Sequence, residues 1–155
     1  FRHIFVRRDR GPSALKALIR DARDRAALGR EVVIFAEGTR RPPGASPDYK
    51  PGFLALYEGL GLPCVPLALN SGLFWPRRSL LRYPGTIVIE ILEPIAPGLP
   101  RAEARRLIQD RIETACARLI EEARASPDPP PLPAPAEPAP AAPPSRDHAT
   151  RTGAR

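Results

Sequence analysis

The run EVVIFA, Glu31 to Ala36, constrains the fold of this chain more than any other stretch. Five consecutive apolar residues without alternation are the pattern of a strand covered on both faces, as in a parallel sheet. Before it, SALKALIRDARDRAALG offers Ser13 as N-cap and Gly29 as stop. Leu15, Leu18, Ile19, Ala22 and Leu28 form its apolar face, so an amphipathic helix is predicted. Before that, HIFVR (His3 to Arg7) reads as a short strand, and strand, helix, strand in this order makes a right-handed βαβ unit.

Downstream, PGFLALYEGLG begins with Pro51, suited to a first helical position, and ends in glycine. CVPLALN reads as a second apolar strand, with Pro66 limiting its place in a sheet. TIVIEIL (Thr86 to Leu92) alternates around Glu90 and predicts a strand with one partly wet face. In PRAEARRLIQDRIETACARLIEEARA, the residues Leu107, Ile108, Ile112, Ala115, Cys116, Leu119 and Ile120 make one stripe, and a closing helix follows. From Ser126 proline is too dense for helix or sheet, which predicts a disordered tail of polyproline II character. The fold class is therefore α/β, a mixed, largely parallel sheet flanked by helices, with one domain over residues 1–125 and a Pro/Ala-rich tail over 126–155.

The chain begins at Phe1 and contains no methionine, so it reads as a piece of a longer protein. Its net charge of +7 is carried almost wholly by arginine. A guanidinium bias suits a phosphate-bearing partner, and it equally suits a genome-wide preference for arginine, so position must decide. Cys64 and Cys116 stand apart with no second pair, which supports neither a zinc site nor a disulfide framework. The longest apolar stretch, Phe53 to Trp75, is interrupted by Glu58, Gly59, Gly61, Pro63, Pro66 and Asn70, and does not read as a membrane span. Any anchor is expected upstream of Phe1.

In open α/β sheets, ligands sit beyond the carboxyl ends of the strands. Glu37, Gly38, Thr39 and Arg40 follow EVVIFA at that edge. Gly38 would let a ligand approach the backbone, Thr39 offers a hydroxyl, and Arg40 can hold a phosphate bidentately. Glu37 could accept from a substrate hydroxyl or fix the arginine. The same four residues also read as a polar surface turn in which Glu37 and Arg40 pair. FVRRDR sets Arg7, Arg8 and Arg10 at the end of the preceding strand, and the crossover would bring them toward Arg40 and Arg41, two strand ends converging on one anion.

These blocks carry a resemblance. FAEGTR with a following YKPG, preceded by IFVRRDR and followed by VPLALN, resembles the glycerophosphate acyltransferase family, closest to its 1-acylglycerol-3-phosphate acyltransferases, over roughly Arg2 to Ala123. The resemblance implies acyl transfer from a thioester, on coenzyme A or acyl carrier protein, to the free hydroxyl of lysophosphatidic acid, in phospholipid biosynthesis. It implies no cofactor and no metal. Arg8 matches the family's second block as a phosphate contact. Glu37, Gly38, Thr39 and Arg40 match the third, and Lys50 matches a basic position after it; together these would bind the substrate. Val65 and Pro66 match the fourth block and would shape the pocket. The family's His-x-x-x-x-Asp block is absent, since His3 is followed at the required spacing by Arg8 and not by aspartate. No catalytic residue is assigned in this chain, whose dyad is expected on the N-terminal side, and the fragment is expected to bind without turnover.

GLFWPRRSLLRYPG (Gly72 to Gly85) interleaves apolar groups with arginines. Phe74, Trp75, Arg77 and Arg78 suit the interface of an anionic membrane, and an ordinary loop folded on the domain is the competing reading. A membrane-associated protein at the cytoplasmic face of a bacterial inner membrane is expected. Rival functions are a sister acyltransferase acting on another lyso-lipid, such as a lyso-ornithine lipid, and a non-catalytic basic module for anionic lipid or nucleic acid. Nucleic acid is disfavoured as a partner, because there is no extended basic stripe or stacking platform.

Overall fold

A computed structural model describes residues 11–131. The expected first strand with Arg7, Arg8 and Arg10, and the tail beyond residue 131, lie outside the described residues. The order of elements is α1 (Gly11–Ala27), α2 (Pro51–Leu60), β1 (Leu67–Leu69), α3 (Ser71–Phe74), β2 (Ile89–Ile91) and α4 (Arg101–Arg124).

Helix α4 is the spine. Its buried residues Ala104, Ile108, Ala115, Leu119 and Ala123 recur at helical spacing along one face. Ala104 and Ile108 join Tyr49, Phe53, Leu54, Tyr57 and Ile95 in the largest core cluster. Ala115 and Leu119 cover Ala68 of β1, and Ala123 packs with Leu73 and Phe74 of α3. Each large side chain so buried contributes about 1.5–3 kcal/mol, so this one stripe organises most of the described core.

Helix α2 starts at Pro51, whose missing N–H costs nothing in the first turn, and ends where Gly61 takes a left-handed conformation (φ 61°). Helix α1 lies against α2 at a close approach. A Cβ built on Gly59 would stand 2.7 Å from Ile19 Cγ2, and Arg23 Nε donates to the Gly59 carbonyl at 2.7 Å. Within its predicted apolar face, Ala22 is buried and Leu28, past the helix end, is exposed.

The sheet departs from expectation. The described residues hold one two-stranded antiparallel sheet, β1 with β2, in the register Leu67 to Ile91, Ala68 to Glu90 and Leu69 to Ile89. A bridge between Cys64 and Ile95 extends the pairing. Among the described residues no parallel pairing is formed, and EVVIFA, extended by expectation, has no ladder there. Val33 and Phe35 are 73% and 74% exposed. A parallel strand needs a hydrogen-bonded neighbour and a covering layer on each face, and the described residues place neither beside this run.

The orientation of TIVIEIL is also opposite to the amphipathic reading. Glu90 shares a face with its partner Ala68, turned toward α4, where its carboxylate pairs with Arg118. Ile89 and Ile91 point away from that helix and are exposed, as are Leu67 and Leu69 opposite them. The small Ala68 lets α4 approach, and the arginine satisfies the acid, so the wet-looking residue is the inward one.

Candidate functional site

The residues after Ala36 form a tight turn, closed by Gly38 N–H to the Phe35 carbonyl at 2.9 Å. Gly38 has φ 68°, a left-handed conformation that explains glycine at this point of the motif. The chain then loops out through Arg40 to Pro47 and returns alongside its start. Lys50 N–H donates to the Ala36 carbonyl at 2.9 Å, and Asp48 N–H donates to Glu37 Oε1 at 3.0 Å.

Glu37 thus clips the two ends of the loop. Its Oε1 also lies 3.5 Å from Arg41 Nε, and Arg41 Nη1 lies 3.5 Å from Asp48 Oδ2. Lys50, which caps α2, pairs with the same Asp48 carboxylate. This hydrogen bond and the nearby cations hold the Asp48 carboxyl below its ordinary range. The surface pairing of Glu37 with Arg40 is not formed: the acid is turned to Arg41, and Arg40 goes elsewhere.

Arg40 stands with its guanidinium carbon 6.0 Å from the ring centre of Trp75. On the same ring lies Arg82, at 4.1 Å. Two features separate in sequence, the EGTR turn and the loop at residues 72–85, therefore meet on one indole. Pro43 helps to bring them together, since a Cβ added at Gly72 would stand 3.2 Å from Pro43 Cγ. Thr39 is exposed at the turn beside Arg40.

The base of the second loop is held by Asn70, buried to 7% exposure. Its Oδ1 accepts Val88 N–H at 2.8 Å and its Nδ2 donates to the Thr86 carbonyl at 3.3 Å. Inside the loop, Phe74 is 7% exposed and packs with Leu73 and Ala123. That corrects its expected place at a membrane interface: its ring closes the core under Gly85, where φ is 142° and an added Cβ would come within 2.1 Å of Cε1. Trp75 is 48% exposed, and Arg77 and Arg78 are exposed beside it.

Val65 and Pro66, expected to shape a pocket, lead into β1. Val65 is exposed; Pro66 is buried, and its carbonyl accepts Leu92 N–H at 3.0 Å. A proline just ahead of the strand needs no ladder donor, so its role here is to start the pairing. Arg8 and His3 lie outside the described residues. Asp48 is a participant that sequence reasoning passed over; Arg41 was expected near the anion, Arg82 was read only as one of the loop's arginines, and Asn70 only as an interruption of an apolar stretch. For Asn70 the signal was available, a lone amide closing an apolar strand.

Several arginines of the described surface are paired with carboxylates. Arg101 pairs with Glu58, Arg106 with Asp110, Arg118 with Glu90 and Glu122, and Arg124 with Glu121. Among the described residues Arg40, Arg77, Arg78 and Arg82 form no ion pair with a carboxylate. Arg23, Arg25, Arg30, Arg105 and Arg111 likewise form none, so what distinguishes the two loops is that Arg40 and Arg82 stand at one exposed indole.

Against known proteins, the chain is 39% identical over 88 residues to the 1-acyl-sn-glycerol-3-phosphate acyltransferase of Pseudomonas aeruginosa, covering 57% of this chain and 34% of that protein. That similarity is to one part of a 1-acyl-sn-glycerol-3-phosphate acyltransferase. A second relative, the 1-acyl-sn-glycerol-3-phosphate acyltransferase of Cocos nucifera, is 30% identical over 94 residues, covering 60% of this chain and 30% of that protein. The matches thus span about a third of the length of these acyltransferases. No family model and no solved structure matches the chain. Among the described residues, no helix is long and apolar enough to cross a membrane.

Proposed function

We propose that this chain is the acceptor-binding part of an acyltransferase that moves an acyl group from acyl-CoA or acyl carrier protein to 1-acyl-sn-glycerol 3-phosphate, giving phosphatidic acid. The observation that carries the reading is Arg40, presented by the EGTR turn without a carboxylate partner among the described residues. A planar, permanently charged fork at that point suits a phosphate dianion. Glu37 keeps the turn in place by binding the far end of its loop, and Gly38 supplies the left-handed residue that brings Thr39 and Arg40 around. Lys50 and Arg41 are neutralised by Asp48 and Glu37, so they support the loop and leave the phosphate to Arg40 and, by family resemblance, Arg8.

In the reaction, the acceptor hydroxyl attacks the thioester carbonyl, loses its proton to a general base, and expels the thiol after the tetrahedral intermediate collapses. This chain's contribution is to fix the phosphate end, so that the hydroxyl is presented in one orientation. Trp75, Arg77 and Arg78 would meet the headgroups of an anionic leaflet, placing the site at the membrane surface where its lipid substrate resides. The same reading puts the protein at the cytoplasmic face of a bacterial inner membrane.

The test is acyl transfer by the complete gene product with lysophosphatidic acid and labelled acyl donors. Transfer from at least one thioester is expected, with a loss of about tenfold or more in kcat/KM for Arg40→Ala. The 155-residue chain by itself is expected to show no turnover. Absence of transfer from both acyl-CoA and acyl carrier protein, or full activity in Arg40→Ala, overturns the reading.

A further inference from the structure

We propose that Arg82 is a second ligand for the phosphomonoester and that Trp75 is the positioning residue holding Arg40 and Arg82 on one site. This rests on the reading of the EGTR turn as a phosphate site, and extends it to a loop that the motif does not include.

The geometry is specific. Arg40 lies 6.0 Å and Arg82 4.1 Å from the Trp75 ring centre, so the guanidinium carbons are no farther apart than about 10 Å, those two legs laid end to end. Arg82 is also braced from behind. Its Nη1 donates to the Ser79 carbonyl at 3.0 Å and the Leu81 carbonyl at 2.9 Å, leaving the other guanidinium nitrogens to bind an anion. Ser79 Oγ in turn accepts Leu81 N–H at 3.0 Å, which sets that carbonyl pair. An exposed arginine ordinarily carries a large rotamer entropy, and these three restraints remove much of it before any ligand arrives.

Electrostatics gives the arrangement its direction. Two like charges held near one ring repel, and within the described residues no carboxylate pairs with either to relieve them. The quadrupole of the indole offsets only part of that cost. A phosphomonoester dianion between the guanidiniums would offset the rest through charge-assisted hydrogen bonds, which neutral or monoanionic headgroups would do less well. The loop at residues 72–85 is itself anchored, through Asn70 at its base and Phe74 in the core, so it can present Arg82 without collapsing.

The chain has one tryptophan, so the ring reports on its own site. The experiment titrates the 155-residue chain with glycerol 3-phosphate, inorganic phosphate, and a short-chain lysophosphatidic acid kept below its micelle concentration. Trp75 fluorescence and calorimetry are the readouts, with circular dichroism to check folding. A saturable fluorescence change is expected. Arg82→Gln should weaken glycerol 3-phosphate binding about tenfold, with Arg82→Lys intermediate because it keeps charge without the fork. Trp75→Phe should retain calorimetric affinity to within about threefold, and Trp75→Leu should lose it as Arg82→Gln does.

If Arg40→Gln weakens binding while Arg82→Gln does not, the inference is overturned and the phosphate reading stands. If Arg82→Gln weakens only the binding of vesicles of phosphatidylcholine and phosphatidylglycerol, Arg82 faces the membrane and the inference is likewise overturned. If the wild-type chain binds none of the three phosphate ligands, the phosphate reading itself falls and the inference with it.

Discussion

Glu37 Oε1 accepts the backbone N–H of Asp48 at 3.0 Å, so the acid of the EGTR turn is spent on closing its own loop. That assigns the residue a structural duty that a glutamine can perform. Glu37→Gln is expected to keep the loop closed, whereas Glu37→Ala leaves the amide without its acceptor and costs about 1 kcal/mol, read as a lowered urea midpoint. If instead the glutamine variant loses ligand binding as severely as alanine with stability unchanged, Glu37 acts on the substrate directly.

Asp48 gives the same loop a pH dependence. The hydrogen bond from Lys50 leads the causes that lower its pKa, with the charges of Lys50, Arg41 and Arg105 adding to it. A carboxyl whose folded pKa lies below its unfolded value of 3.8 contributes stability above 3.8 and loses it as pH falls through the folded pKa. Asp48→Asn should therefore be less stable than wild type at neutral pH, with the two converging as pH falls below 3.8. Thermal melts from pH 7 to pH 3 check this, and a constant gap across that range would contradict it.

At the other loop, buried Asn70 satisfies Val88 N–H and the Thr86 carbonyl with one amide group. Asn70→Ala strands both backbone groups, at a cost of about 1–3 kcal/mol. Asn70→Asp restores the acceptor but not the donor and should fall between. Because the amide ties the loop at its base, Asn70→Ala should also speed proteolysis after Arg77, Arg78 and Arg82, measured by tryptic digestion with mass analysis. Unchanged cleavage there would mean that the loop is held by Phe74 alone.

The helices were the legible part of this sequence. Pro51 and Gly61 mark α2, Gly29 marks the stop after α1, and the stripe from Ile108 to Leu119 marks α4, because these signals are local. The sheet was less legible, because pairing depends on residues distant in sequence. Glu90 looked like the wet position of its strand until Arg118, on another element, turned it inward. At the site, glycine at position 38 and the exposure of Arg40 followed from the motif, but the meeting of Arg40 with Trp75 did not. No periodicity links residues 35 positions apart, and their loops come together through tertiary packing, of which Pro43 against Gly72 is one contact.

Gly85 and Phe74 make the sharpest packing prediction. Gly85 has φ 142°, a backbone conformation side chains rarely adopt, and an added Cβ would fall 2.1 Å from Phe74 Cε1. Gly85→Ala therefore meets two penalties at once, backbone strain and a clash with a buried ring, each of about 1–3 kcal/mol. Phe74→Leu alone loses ring contacts against Leu73 and Ala123 and costs about 1–2 kcal/mol, while opening space beside Gly85. The double variant should consequently be more stable than the sum of the single losses implies, because the smaller side chain yields to the new methyl. A double-mutant cycle by urea denaturation measures the coupling. Strict additivity would show that the Gly85 penalty is backbone strain alone and that the ring is free to move aside.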